Sequence, residues 1–219
     1  MHNTVKNLTY IKELIKSKVN DLNNNKKSKI IAVSKTFPIE KILPLIEYGH
    51  LDYGENKVQE ALDKWKDIKA RNREIKIHLI GKLQTNKVKL AVKIFDYVHS
   101  LDSERLASKI AEEQSKQNKK LKFFIQINIG NEEQKSGISK EKASEFNEYC
   151  KNLNLDVIGT MCIPPKEGEV KNYFLEMSKI NKELGLIDLS MGMSEDYLEA
   201  AKNDATFLRI GSKIFGPRS

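Results

Sequence analysis

The chain has 219 residues, of which 39% are hydrophobic and 31% charged, and its formal net charge is +8. This composition supplies a sizeable core and excludes a disordered tail protein, whereas the length fits either one large domain or two smaller ones. Only five of the 38 cationic residues are arginine, the residue suited to bidentate contacts with nucleic acid. We therefore expect a lysine-rich surface and no nucleic-acid partner.

Cysteine usage and hydropathy exclude further classes of protein. Cys150 and Cys162 form no CxxC pair and lie at no metal-ligand spacing from a histidine, which argues against a disulfide framework and a zinc site. The first 18 residues carry several charges, and no uninterrupted apolar run approaches the ~18 residues of a membrane span. The sequence predicts a cytoplasmic protein without a membrane partner.

The apolar pattern predicts helices and strands in alternation. A leading amphipathic helix is predicted at about residues 3–23, because apolar residues recur at helical spacing until an asparagine run ends the pattern. The predicted strands are 30–33, 51–53, 75–80, 97–100, 123–127, 157–161, 186–189 and 206–210. The predicted helices after the leading one are 39–48, 58–68, 87–95, 103–117, 140–152, 170–184 and 195–202, followed by a short turn or helix from residue 212.

Eight strands alternating with helices, without a linker or a change of composition between them, indicate a closed barrel. We predict an α/β fold of the single-domain (β/α)8 TIM barrel type over residues 1–219. An open doubly wound sheet is the alternative. Such a sheet usually carries a glycine-rich nucleotide fingerprint after its first strand, and none follows Val33.

The loops after the last two strands have the composition of a phosphate site. Barrels carry their functional residues at the carboxyl ends of the strands, and the loops after strands seven and eight frequently bind phosphate. These loops hold Gly192 and Ser194, and Gly211 and Ser212. Glycine lets the backbone approach an anion closely, and serine adds a hydroxyl donor. We therefore predict a phosphate group between the two loops.

Two cations extend this site. Lys35 follows the first strand, where partial burial favours the neutral, nucleophilic amine, and Arg209 lies in the last strand. A phosphate site, an amine nucleophile and an arginine facing a ring nitrogen suggest pyridoxal 5′-phosphate (PLP), with an ordinary sugar phosphate as the alternative. His78 in strand three and Lys135 in a polar loop are further candidates, although such residues are commonly structural and solvent-exposed, respectively.

Seven sequence blocks lie in order along almost the whole chain. They are residues 32–36, 54–56 with 58–60, 78–81 with 83–87, 135–138, 159–164, 189–194, and 208–212 with 214–216. Together they resemble the pyridoxal phosphate homeostasis protein family, also called the proline synthetase co-transcribed family. Ser190-Met191-Gly192-Met193-Ser194 is the most specific block, whereas Phe37, Lys82 and Ser212 depart from the residues usual in the family.

The resemblance implies a barrel of the alanine racemase N-terminal type that holds PLP. It implies that Lys35 forms the internal aldimine and that Arg209 lies near the pyridine nitrogen. The full set of cofactor-binding residues predicted here is Lys35, Asn56, His78, Met193, Ser194, Arg209, Gly211 and Ser212. The family is implied to act in PLP homeostasis and cofactor supply, with apo-enzymes as acceptors and no established reaction of its own.

A binding protein is favoured over an enzyme. Racemisation needs acid–base groups on both faces of the cofactor, and only ten residues follow Arg209, which leaves no room for the second domain of the related racemases. An arginine partner also leaves the ring nitrogen unprotonated, which weakens the cofactor as an electron sink. We expect a monomer without catalytic residues, and a weak PLP-dependent racemase is the alternative.

Overall fold

The computed structural model describes residues 1–19 and 28–217. Helix α1 (Asn3–Val19) precedes the barrel, and its predicted continuation to residue 23 lies outside the described residues. The strands are β1 (Lys29–Val33), β2 (Asp52–Glu55), β3 (Lys76–Leu79), β4 (Tyr97–Leu101), β5 (Lys122–Gln126), β6 (Asp156–Met161), β7 (Asp188–Ser190) and β8 (Phe207–Ile210). The other helices are α2 (Ile39–Glu47), α3 (Val58–Arg71), α4 (Val88–Ile94), α5 (Glu104–Gln117), α6 (Ala143–Asn152), α7 (Val170–Glu183), α8 (Tyr197–Lys202) and α9 (Ser212–Phe215).

The strands close into a parallel barrel. Each strand pairs with the next, and β8 pairs back onto β1 with Ile30 opposite Leu208 and Ile31 opposite Arg209. Closure confirms the predicted TIM barrel and excludes the open doubly wound sheet, because a closed sheet has no edge strand. No helix within residues 1–19 and 28–217 is long and apolar enough to cross a membrane.

Side chains alternate across the barrel wall and build two cores. Outward-facing residues such as Tyr53 pack with helix residues such as Trp65 in one continuous apolar layer between sheet and helices. The inward-facing cluster is smaller and consists of Ile31, Phe124, Met161 and Phe207. The barrel interior is therefore filled with side chains.

One strand boundary differs from the prediction in a way that affects the site. Strand β7 comprises Asp188–Ser190, whereas the sequence pattern predicts residues 186–189. Gly185 ends α7 with a φ of +68°, and the Leu186 N–H donates to the Asn181 carbonyl at 3.0 Å, so residue 186 still belongs to the turn. Ser190 is consequently a fully buried strand residue instead of part of the following loop.

Candidate functional site

A cavity of about 590 Å³ opens at the carboxyl ends of the strands. Seven of the eight predicted cofactor-binding residues line it, namely Lys35, Asn56, Met193, Ser194, Arg209, Gly211 and Ser212. Lys135 also lines the cavity, together with further polar side chains that were not predicted to bind the cofactor, including Lys82, Gln126, Asn128 and Gln134. The structure therefore brings together residues from both ends of the chain.

His78 is the exception. Its ring is fully buried inside the barrel, stacked on Tyr97 at a centroid distance of 4.3 Å, and it is absent from the cavity lining. Its Nε2 lies 3.0 Å from Asp52 Oδ1, and its Nδ1 lies 3.0 Å from His99 Nε2. Both ring nitrogens are engaged within the protein, so the structure offers no cavity contact that would support cofactor binding by His78.

The backbone on both sides of Lys35 is held by α3. Lys64 Nζ donates to the Ser34 carbonyl at 2.9 Å, and the Thr36 N–H donates to Glu60 Oε1 at 2.6 Å. Thr36 has a φ of +67°, in the left-handed region that a β-branched residue rarely adopts. Such a conformation persists only where surrounding contacts hold it, so Glu60 and Lys64 direct the loop that carries Lys35.

The buried carboxylate of Glu55 stabilises the Lys35 loop through Ser34 and Lys64. Glu55 Oε1 accepts hydrogen bonds from Ser34 Oγ at 2.7 Å, Lys64 Nζ at 3.0 Å and Trp65 Nε1 at 2.9 Å. Burial raises the pKa of Glu55, while the Lys64 charge and these three donors act in the opposite direction. Lys64 thus bridges Glu55 and the Lys35 loop.

The loops after β7 and β8 meet at Ser194. The Gly211 N–H lies 3.4 Å and the Lys213 N–H 3.5 Å from Ser194 Oγ, which brings backbone donors and a hydroxyl together beside the cavity. Gly192 turns its loop with a φ of +86°, and a Cβ there would stand 2.5 Å from Ala200 Cβ. Converging N–H and hydroxyl donors at a close-packed glycine turn suit a phosphate group.

Arg209 is a buried cation that lines the same cavity and is only 4% exposed. Its Nη1 donates to Ser190 Oγ at 2.6 Å and its Nη2 donates to the Cys162 carbonyl at 2.7 Å. Burial lowers the pKa of Arg209, but a guanidinium keeps its proton in proteins. The cavity therefore contains a permanent donor held in one orientation, which suits the unprotonated nitrogen of an aromatic ring.

Glu60, Lys64 and Ser190 were not predicted as functional residues. The spacing of Glu60 and Lys64 on α3 indicates an ordinary i,i+4 ion pair, and nothing local shows that both also reach the Lys35 loop. Ser190 was expected in a loop, because strand seven was predicted to end at residue 189. Only the packing of α3 on the barrel and the true end of β7 reveal their contacts.

Comparison with known sequences identifies relatives over nearly the whole chain. Residues 11–219 match the family model of the alanine racemase N-terminal domain. The pyridoxal phosphate homeostasis protein of Aquifex aeolicus is 39% identical over 201 residues, covering 87% of this chain and 87% of that protein. The protein of the same name from Haemophilus influenzae is 36% identical over 225 residues, covering 97% and 95% of the two chains.

Solved structures agree with the fold. PipY of Synechococcus elongatus, solved with PLP bound, superposes with a TM-score of 0.80 at 29% identity over 92% of this chain and all (100%) of PipY. An alanine racemase of Clostridium difficile superposes with a TM-score of 0.71 at 16% identity, covering 97% of this chain but 56% of the racemase. The racemase likeness concerns the barrel fold alone.

Proposed function

Because the chain belongs to the pyridoxal phosphate homeostasis protein family, we propose that it binds PLP in the cavity at the mouth of its barrel and acts in PLP homeostasis. One observation carries the proposal. A nucleophilic amine (Lys35), a buried guanidinium (Arg209) and a set of phosphate donors (Ser194, Gly211 and Ser212) line a single cavity. An ordinary sugar phosphate would use the phosphate donors but would leave the amine and the buried cation without a function.

Lys35 is the proposed attachment point. In its neutral form, the Lys35 amine would hold PLP by condensing with the cofactor's aldehyde group, with release of one water molecule. The fixed Ser34 and Thr36 backbone favours this attachment, because it holds the base of the Lys35 side chain beside the cavity. The ring and phosphate would then lie toward Arg209 and Ser194.

Arg209 favours binding over catalysis. It can only donate hydrogen bonds, so it would hold the ring nitrogen of PLP as an acceptor, in the unprotonated form. An unprotonated ring stabilises a carbanion poorly, and carbanion stabilisation is what PLP-dependent racemases require. We therefore propose a protein that stores and supplies PLP without turning over an amino acid. The rim residues Ile163 and Met193 are 39% and 37% exposed, which leaves the cavity open for exchange of the cofactor with an acceptor enzyme.

The attachment is tested by trapping it. Purified protein is mixed with PLP, its imine absorption band is recorded, and borohydride reduction is followed by mass spectrometry of the peptides. Wild type is expected to form the band and to carry the reduced adduct on Lys35. Lys35→Ala is expected to lose both, whereas Lys179→Ala, which removes a lysine with a 76% exposed side chain, is expected to keep both.

The outcomes distinguish PLP attachment at Lys35 from attachment elsewhere, and a binding protein from an enzyme. An adduct that persists at full yield in Lys35→Ala would contradict the assignment of Lys35, and a wild type that forms no band would contradict PLP binding. Incubating the loaded protein with amino acids in deuterated water tests the absence of turnover. We expect no exchange of α-hydrogen at enzymatic rates. Rapid exchange would favour the hypothesis that the protein is a PLP-dependent racemase.

A further inference from the structure

A chain of buried polar side chains runs through the barrel interior from the cavity toward the opposite end. Arg209 Nη1 lies 2.6 Å from Ser190 Oγ, and Ser190 Oγ lies 2.8 Å from His99 Nδ1. His99 Nε2 then lies 3.0 Å from His78 Nδ1, and His78 Nε2 lies 3.0 Å from Asp52 Oδ1. The chain crosses β8, β7, β4, β3 and β2 and ends at the first residue of β2.

The hydrogen bonds of this chain have one consistent direction. Arg209 can only donate and the Asp52 carboxylate can only accept, so with neutral histidines Ser190 Oγ accepts from Arg209 and gives its own hydrogen to His99 Nδ1. His99 must then carry its hydrogen on Nε2 and donate to His78 Nδ1. His78 in turn carries its hydrogen on Nε2 and donates to the Asp52 carboxylate. With both histidines neutral, every bond has one donor and one acceptor.

Burial makes this assignment favourable. Ser190, His78 and His99 are each 0% exposed, and burial lowers the pKa of both histidines, which keeps them neutral. The Asp52 side chain is 22% exposed, so the negative end of the chain reaches solvent while the positive end is buried at the cavity. Hydrogen bonds in series polarise one another, and the carboxylate thereby contributes to stabilising the distant guanidinium.

We infer that Ser190 and His99 are positioning residues for Arg209, which hold one edge of its guanidinium inside the barrel so that the rest faces the cavity. This inference rests on the proposed PLP function for the ligand that Arg209 meets. The contact between Arg209 and the Cys162 carbonyl fixes the same group from a second side. A turned or mobile guanidinium would lose its alignment with the cofactor ring.

The series of hydrogen bonds from Arg209 to Asp52 is tested first in the protein without added PLP. Nitrogen-15 correlation spectra of the histidine side chains report the tautomer and the protonation state of each ring. His78 and His99 are expected to be neutral with the hydrogen on Nε2 at pH 7. In Ser190→Ala the Nδ1 signal of His99 is expected to move, because that nitrogen loses its donor. A cationic His99, a hydrogen on its Nδ1 or an unmoved signal would overturn the inference.

The dissociation constant for PLP tests the effect on the site. Ser190→Ala removes a hydrogen bond to the charged guanidinium and is expected to raise Kd about tenfold or more. His99→Phe acts on Arg209 through Ser190 and is expected to raise Kd in the same direction. Phenylalanine preserves the ring stacking of His99 on Phe124. Tyr53→Phe is the matched control, since it removes a buried 3.0 Å hydrogen bond to the His50 carbonyl outside the chain.

The two measurements distinguish this inference from the proposed function. If Ser190→Ala and His99→Phe bind PLP as tightly as Tyr53→Phe, positioning of Arg209 by the chain is refuted even though PLP binding stands. If the wild type binds no PLP, the proposed function fails, and the His99 signal in Ser190→Ala still decides whether the chain is formed. Should His99→Phe fail to fold, Ser190→Ala carries the test alone.

Discussion

The Lys64 ammonium connects three groups that determine where Lys35 lies. It contacts Glu55 and Glu60, each at 3.0 Å, and donates to the carbonyl of Ser34. The Glu55 side chain is 0% exposed and the Lys64 side chain 10%, so this is a buried ion pair. Removing one partner of such a pair leaves an uncompensated charge in the interior, which is far more costly than losing a surface pair.

Lys64→Met is therefore expected to lower the free energy of unfolding by about 3–5 kcal/mol at pH 7. Burial already raises the pKa of Glu55, and losing the Lys64 charge raises it further. When a carboxyl group has a raised pKa in the folded state, the free energy of unfolding falls as pH rises above the group's pKa in the unfolded chain, which is ~4.3. The deficit relative to wild type should thus be smallest near pH 4 and grow toward neutral pH in urea titrations.

Lys182→Met is the matched control for that experiment. Lys182 forms a 3.0 Å ion pair with Asp204, but its side chain is 68% exposed. Exposed pairs contribute about 0–1 kcal/mol, so this variant should stay close to wild type at every pH. Equal losses in the two variants would contradict a special role of the buried pair.

At the level of elements, the turn after β7 depends on one glycine. Gly192 has a φ of +86°, and an added Cβ would also collide with Ala200 of α8 at 2.5 Å. This close approach seats α8 on the turn and places Ser194 beside the Gly211 N–H. The turn, rather than the serine alone, brings the phosphate donors together.

Gly192→Ala should be compared with Gly185→Ala. Gly185 has a φ of +68° but nothing within 4 Å of an added Cβ, so its substitution is expected to cost only the backbone strain of about 1–2 kcal/mol. Gly192→Ala adds an overpacking cost of about 1–3 kcal/mol and should also weaken PLP binding. Chemical denaturation and PLP titration measure both effects. Equal costs in the two variants would contradict the close packing on Ala200.

At the scale of the whole molecule, the barrel buries neutral histidines, and these histidines become protonated when the protein unfolds in acid. Burial lowers the pKa of His50 to about 4, and it also lowers the pKa of His78 and His99. In the unfolded chain these histidines become protonated near pH 6.5, whereas in the folded protein they stay neutral at that pH. Their contribution to the free energy of unfolding is therefore present above pH 6.5 and is lost as pH falls. Each such histidine contributes a slope of up to about 1.4 kcal/mol per pH unit.

Urea unfolding between pH 7 and pH 5 is expected to show this acid loss. In His99→Phe the free energy of unfolding should fall less steeply with decreasing pH, by up to about 1.4 kcal/mol per pH unit, because the substitution removes one of the three buried histidines. Tyr53→Phe, which removes a buried hydroxyl but no histidine, should retain the wild-type slope. A stability that is flat over this range in the wild type would contradict the burial of neutral histidines.

The sequence alone determined the order of the elements, the closed barrel and a set of eight candidate cofactor-binding residues, seven of which line the cavity. Apolar periodicity and glycine turns are local signals, and the mouth of a barrel gathers the carboxyl ends of all its strands. Lys35, Ser194 and Arg209 could therefore be assigned to one place without knowledge of any contact.

Only the tertiary structure decided what holds those residues. His78 was predicted at the cofactor but lies within the barrel, because its strand position turns the ring inward toward Asp52 and His99. The Lys64 contact with the Ser34 carbonyl and the Ser190 contact with Arg209 join residues 30 and 19 positions apart. Such contacts depend on how helices pack on the barrel and on which face of a strand is inward, and no local sequence pattern encodes either.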